Sequence, residues 1–147
     1  MNVFLLDVNV LVAIAWPAHN SHARVKRWLV RHASDEWATC SFTQVAFVRI
    51  LSNPAFSPHA LRPLDAVALL SANLNHPAHR FWANDIGLSE AIRPFQDRIV
   101  GHQQVTDAYL LGLTLRKKGK LATMDRGILE LIPGESPHRG IVELIGE

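Results

Sequence analysis

The sequence predicts one α/β domain spanning residues 1–147, built on a central, mostly parallel sheet of four or five strands covered by helices. Three observations carry that expectation. Short apolar runs alternate with helix-period segments along the whole chain, the pattern of strand–helix–strand units. The first run, Val3–Leu6, is apolar throughout, as a strand covered on both faces must be. A chain of 147 residues also suits one domain better than two. At that size the surface scaling law gives a folded area of about 7,500 Å² against roughly 24,000 Å² unfolded, so a core forms without a disulfide or metal staple.

The elements follow in order. After Val3–Leu6 the run stops at Asp7, and residues 10–16 predict a short helix ended near Pro17. Asn20 or Ser21 caps a second helix to about residue 33, with Val25, Trp28 and Leu29 on one face. Residues 37–40 read as a second strand. Ser41-Phe42-Thr43-Gln44 has capping-box form and opens a helix to about Leu51, stopped at Asn53-Pro54. Residues 64–74 carry another helical pattern, and 79–83 a third strand with Asn84-Asp85 at its end. Thr106 caps a helix to Lys118, closed by Gly119. Lys120–Thr123 is the fourth strand, Asp125 lies just past it, and residues 141–145 form a short last strand. No repeat, low-complexity tract or linker divides the chain.

Composition narrows the class. Fifteen Lys and Arg stand against 13 Asp and Glu, for a net charge of +2, and 48% of residues are hydrophobic, which argues against intrinsic disorder. The single Cys40 can form no internal disulfide and excludes a Cys-rich zinc module, pointing to a reducing, cytoplasmic setting. Residues 3–16 are largely apolar, but Asp7 and Asn9 interrupt them and no basic segment precedes them. That stretch is too short to span a bilayer, so neither a signal peptide nor a membrane partner is expected.

In open parallel sheets, ligands bind outside the carboxyl ends of the strands. Asp7 ends the first strand, Asp125 follows the fourth, and Asp107 opens the helix leading into the fourth, so three distant acids can meet at one edge. Converging carboxylates raise one another's pKa unless a cation compensates, and a hard oxygen-binding ion such as Mg²⁺ suits them. The chemistry implied is metal-assisted phosphodiester hydrolysis. Each acid also has an ordinary reading: Asp107 favours a helix dipole, and Asp125 suits a turn. Asp7 is hardest to explain away, because a charge directly after four apolar residues is costly if merely buried.

The segments 4–11 (FLLDVNVL), 105–110 (VTDAYL) and 121–127 (LATMDRG), with 47–54 (FVRILSNP), together resemble a PIN domain of the VapC type, the toxins of bacterial toxin–antitoxin pairs. The resemblance covers nearly the whole chain in order and spacing. It implies an endoribonuclease dependent on Mg²⁺, with Mn²⁺ as a substitute, acting on RNA. It also implies inhibition by a cognate VapB-type antitoxin, a homodimer, and products with 5′-phosphate and 3′-hydroxyl ends. The catalytic and metal-holding acids would be Asp7, Asp107 and Asp125, supported by Asn9 and Thr123. PIN domains commonly place Glu at the start of the helix after the second strand, where this chain has Gln44. An amide brings no charge, which puts a two-metal arrangement in doubt, and a capping-box Gln44 reaching back to Ser41 is an equal alternative. Asp85 is the candidate to compensate, ahead of Asp97 and Glu90.

Arg49 and Arg126 lie in motif segments and are the candidate RNA contacts. Arg24, Arg27 and Arg31 share a helix face and Arg116, Lys117, Lys118 and Lys120 form the densest basic run, each with a solvated-face reading. His76 and His79 lack the partners of a zinc site. Trp16 and Trp28 are candidate anchors for an antitoxin on the first helices. A dehalogenase-like phosphatase would need Asp where Asn9 stands, a receiver domain would need paired acids near the first strand, and no glycine-rich phosphate loop is present. A catalytically weak RNA- or protein-binding module is the rival from another class, favoured by Gln44.

Overall fold

The apolar run after Met1-Asn2 becomes β1 (Val3–Leu6), the middle strand of the sheet. In the computed structural model, which describes residues 1–146, it is followed by α1 (Val8–Ala15), α2 (His22–Arg31) and β2 (Glu36–Thr39). Then come α3 (Ser41–Leu51), α4 (Pro63–Leu74), β3 (His79–Phe81), α5 (Leu88–Ile92) and α6 (Val105–Lys117). β4 (Lys120–Thr123) and β5 (Val142–Leu144) complete a five-stranded sheet of order β3-β2-β1-β4-β5, parallel at every pairing. Leu5 stands opposite Ala38 of β2 and Leu121 of β4.

The period-2 alternation of a strand sorts β1 between two cores. Leu5 packs with Ala38, Leu121, Phe95, Ile128 and the buried face of α6. Phe4 and Leu6 point the other way, to Trp28, Phe47, Leu70 and the apolar α1. Helices on both faces explain why β1 has no polar position. The exposed area is 8303 Å², close to the expectation from mass alone.

Several boundaries differ from expectation, each for a local reason. α1 starts at Val8, two residues early, because the Asp7 side chain accepts the Val8 amide at its N-cap. α3 is capped by Cys40, and Thr43 completes the capping box by accepting the Cys40 amide at 3.1 Å. α6 opens from a 3₁₀ turn at His102–Gln104, with Gln104 rather than Thr106 at its N-cap. Its left-handed closing residue is Lys118, at φ 57°, not Gly119. Gly119 answers a different need: a Cβ there would meet the Trp82 ring and the Val3 carbonyl oxygen, each at 2.6 Å. α5 was not foreseen, being only five residues long. It docks on α6 where Gly112 lets the backbones touch, since a Cβ at 112 would lie 2.1 Å from the Ala91 carbonyl oxygen. Among the described residues no helix is long and apolar enough to cross a membrane.

Candidate active site

β1 and β4 are adjacent and parallel, so their carboxyl ends open on the same edge. Asp7 extends the ladder by donating its amide to the Ala122 carbonyl at 2.9 Å, which sets its side chain beside Thr123. The buried Thr123 hydroxyl donates to Asp7 Oδ2 at 2.7 Å. Thr123 Oγ1 in turn accepts the Asp125 amide at 3.0 Å and the Asn9 side-chain amide at 3.4 Å. Asn9 Oδ1 accepts the Met124 amide at 3.4 Å. One hydroxyl thus ties the end of β1, the first turn of α1 and the turn after β4 into a single hydrogen-bonded knot.

The carboxylates around this knot carry unmatched charge. Burial pushes the Asp7 carboxyl up, and the neighbouring Asp125 adds to it; the hydrogen bonds from Thr123 and Val8 pull the other way. Asp107, in the first turn of α6, is pushed up to about 6, chiefly by desolvation and then by the charges of Asp7 and Asp125. Asp125 is exposed and accepts the Gly127 amide at 2.8 Å, starting a 3₁₀ turn over Arg126–Leu131. No Lys, Arg or His pairs with Asp7, Asp107 or Asp125 among the described residues. The three acids feel one another through space.

They do not close into a finished ligand shell: among the described residues no three His, Cys, Asp or Glu side chains form a ready metal site. Asp7 and Asp125 are each held by bonds to their own local backbone, and like charges do not draw together unaided. The donor set nevertheless fits a hard divalent cation. Its ligating atoms are all oxygens, its charge is unneutralised, and such an ion commonly takes one or two carboxylates and completes its shell with water and phosphate oxygens.

A model of the PIN domain matches residues 4–132 of the chain. The chain belongs to the PIN-domain family. Its VapC-type relatives include Ribonuclease VapC38 of Mycobacterium tuberculosis (strain ATCC 25618 / H37Rv), 44% identical over 86% of this chain and 88% of the relative. Ribonuclease VapC39 of Mycobacterium tuberculosis (strain CDC 1551 / Oshkosh) is 36% identical over 96% of this chain and 98% of the relative. The crystal structure of VapBC2 from Rickettsia felis bound to a DNA fragment from their promoter superposes with a TM-score of 0.64 at 12% identity. That match covers 97% of this chain and 98% of the other and shows the shared fold.

In this PIN domain the remaining site candidates fall in different places. Gln44 does not reach back to Ser41. Its amide nitrogen donates to Thr39 Oγ1 at 3.0 Å, the same oxygen that meets His79 Nε2 at 2.7 Å. That link from the last residue of β2 to the first of β3 gives Gln44 a partner suited to an amide. Asp85 does not join the acids. Its carboxylate pairs with Lys117 at 3.0 Å and Arg116 at 3.9 Å, in the last turn of α6, whereas Asp107 is in the first. Lys117 beside it holds its carboxyl below the usual range. Its charge is already met. Arg49 lies in the last turn of α3, roughly 13 Å along the axis from the end of β2 at 1.5 Å per residue. Arg126 stays at the acidic edge, exposed and directly after Asp125. Asp97 and Glu90 are exposed outside the knot. Trp28 is no surface anchor. It is 1% exposed, stacks edge-on against Phe4 and donates to Glu143 at 3.1 Å. Trp16 is half-buried against Phe56.

Sequence reasoning passed over Phe42 and Tyr109. The available signal was an aromatic at the second position of a helix that opens on the carboxyl edge of the sheet.

Proposed function

We propose that this VapC-type PIN domain is the toxin of a type II toxin–antitoxin pair, an endoribonuclease that hydrolyses RNA phosphodiester bonds with a divalent ion, Mg²⁺ or Mn²⁺. The observation that carries the reading is the set Asp7, Asp107 and Asp125: three carboxylates close enough to repel one another, without a cationic side chain, the first of them held by the buried Thr123 hydroxyl. The curated relatives named as VapC ribonucleases support the substrate class, and the VapBC2 pair supports a VapB-type antitoxin. An RNA substrate favours a cytoplasmic setting, and the VapC resemblance favours a homodimer.

Asp7 and Asp107 would hold the ion, with Asp125 completing the field around it. When bound, the ion supplies a Lewis acid that activates water and offsets charge developing on the phosphate. The chain's own residues do the positioning. Thr123 fixes the Asp7 carboxylate through one oxygen, while Asn9 and the Asp125 amide fix Thr123. A carboxyl near 6 at Asp107 loses its proton readily at neutral pH once a cation is close. Arg126, at the rim, is available to a substrate phosphate.

Asp7→Asn tests the assignment. It keeps size but removes one charge and turns one accepting oxygen into a donor, so metal-supported cleavage of unpaired RNA drops on the order of 100-fold or more. Chelator abolishes wild-type cleavage. Full activity in folded Asp7→Asn protein defeats the assignment, and metal-independent RNA binding without turnover would establish the binding-module reading instead.

A further inference from the structure

Beside the acids the surface changes character. A pocket of about 420 Å³ opens between the first turns of α3 and α6 and the segment that follows β3. Its walls bear no formal charge; they include Phe42, Asn84, Ile86, Leu88, Thr106 and Tyr109. Thr106 and Asp107 are consecutive, so the pocket and the acidic edge share one helical turn.

The pocket has a built wall and an open one. Tyr109 is buried, and its hydroxyl donates to the Ile86 carbonyl at 2.9 Å, which fixes the ring and spends its only donor. Phe42 rests edge-on against it, with centroids 5.1 Å apart and planes at 63°. Despite that support Phe42 remains 49% exposed, and Leu88 opposite is 50% exposed.

A polynucleotide offers a charged backbone and uncharged base planes. A neutral, aromatic-walled slot next to a carboxylate cluster disfavours the backbone and suits a base, since every base has a π-face that stacks on an aromatic ring. Asn84 contributes an amide that both donates and accepts, as a base edge does. We propose that this pocket receives an unpaired nucleobase flanking the scissile phosphate, stacked on Phe42, with Asn84 reading its edge. The inference rests on the RNA-cleaving reading of the neighbouring acids. It makes the enzyme select single-stranded loops, because bases stacked within an RNA duplex cannot enter a side pocket.

Binding is measured by fluorescence anisotropy with short, unpaired oligoribonucleotides in chelator, so that no turnover intervenes. Phe42→Ala weakens binding by about 5- to 100-fold, the range for losing one stacked base, while Phe42→Tyr stays near wild type. A 2-aminopurine placed at successive positions is quenched at one of them by wild type and not by Phe42→Ala. Asn84→Ala, on an exposed segment, relaxes base preference at that position, as read from the ends of cleaved RNA. Equal affinity in wild type and Phe42→Ala overturns the proposal, as does an equal loss in the Ala and Tyr variants. So does a Phe42→Ala protein that dissociates from dimer to monomer in sedimentation while its RNA affinity is unchanged; the slot is then an interface between copies. Wild type that binds through the slot but never cleaves refutes the nuclease reading alone, whereas cleavage indifferent to Phe42 and Asn84 refutes the slot alone.

Discussion

Asp107→Asn should make the metal-free protein more stable, although it removes a central acid of the site. The folded carboxyl is pushed up to about 6, first by burial and then by Asp7 and Asp125, against an ordinary value of 3.8. Linkage sets the sign. Between those values the unfolded chain has released the proton and the folded chain has kept it, so stability falls as pH rises. Above about pH 6 both states are ionised and the full penalty is present; below about pH 4 both are protonated and it vanishes. Without solvent the difference corresponds to about 3 kcal/mol at 1.36 kcal/mol per pKa unit. Asp107 is only partly buried, and screening by water brings the expected gain to about 1 to 2 kcal/mol at pH 7. For a chain of this size that is a rise in Tm of roughly 3 to 6 °C. Denaturant titrations in chelator, from pH 4 to 8, should show the variant ahead at neutral pH and the two curves meeting in acid. Mg²⁺ should then stabilise wild type more than the variant, because an ion that binds only the folded state adds stability by mass action. A variant equal to or less stable than wild type at pH 7 in chelator would refute the account of Asp107 as a carboxyl destabilised by burial and by its acidic neighbours.

Two further outcomes follow from the surroundings of the acids. Thr123→Val keeps the buried shape but strips the hydroxyl from Asp7, Asn9 and the Asp125 amide, which should cost about 1 to 3 kcal/mol and lower RNA cleavage. Thr123→Ser should restore cleavage, and kinetics of the three proteins side by side would check it. Asp85→Asn should leave RNA cleavage and its Mg²⁺ dependence unchanged, since its charge is met by Lys117 and Arg116 at the far end of α6. A metal titration that shifted with this variant would return Asp85 to the site.

Much of the molecule was legible from local pattern. The apolar run of β1 required cover on both faces, and the helix-period segments between strands required a parallel sheet with Asp7 and Asp125 at its carboxyl edge. The match to the PIN family, over residues 4–132, spans those same segments. Elements governed by neighbours distant in sequence were not legible. α5 is too short to show a period and exists because Gly112 of α6 gives it a close seat. Gly119 suggested a left-handed turn, but it serves a close approach by Trp82 and Val3, and Lys118 takes the turn.

The sequence by itself determined the fold class, the family and the acids at the strand ends, because burial period and strand-end placement are properties of adjacent residues. Only the tertiary structure decided which candidates act together. Thr123 meets Asp7 across 116 positions of chain, while Asp85 turns to Lys117 and Arg49 lies at the far end of α3. It also sealed Trp28 inside and left Phe42 open beside Tyr109. Hydrogen bonds and charges act over a few ångströms of space, and folding alone determines which side chains come within that distance.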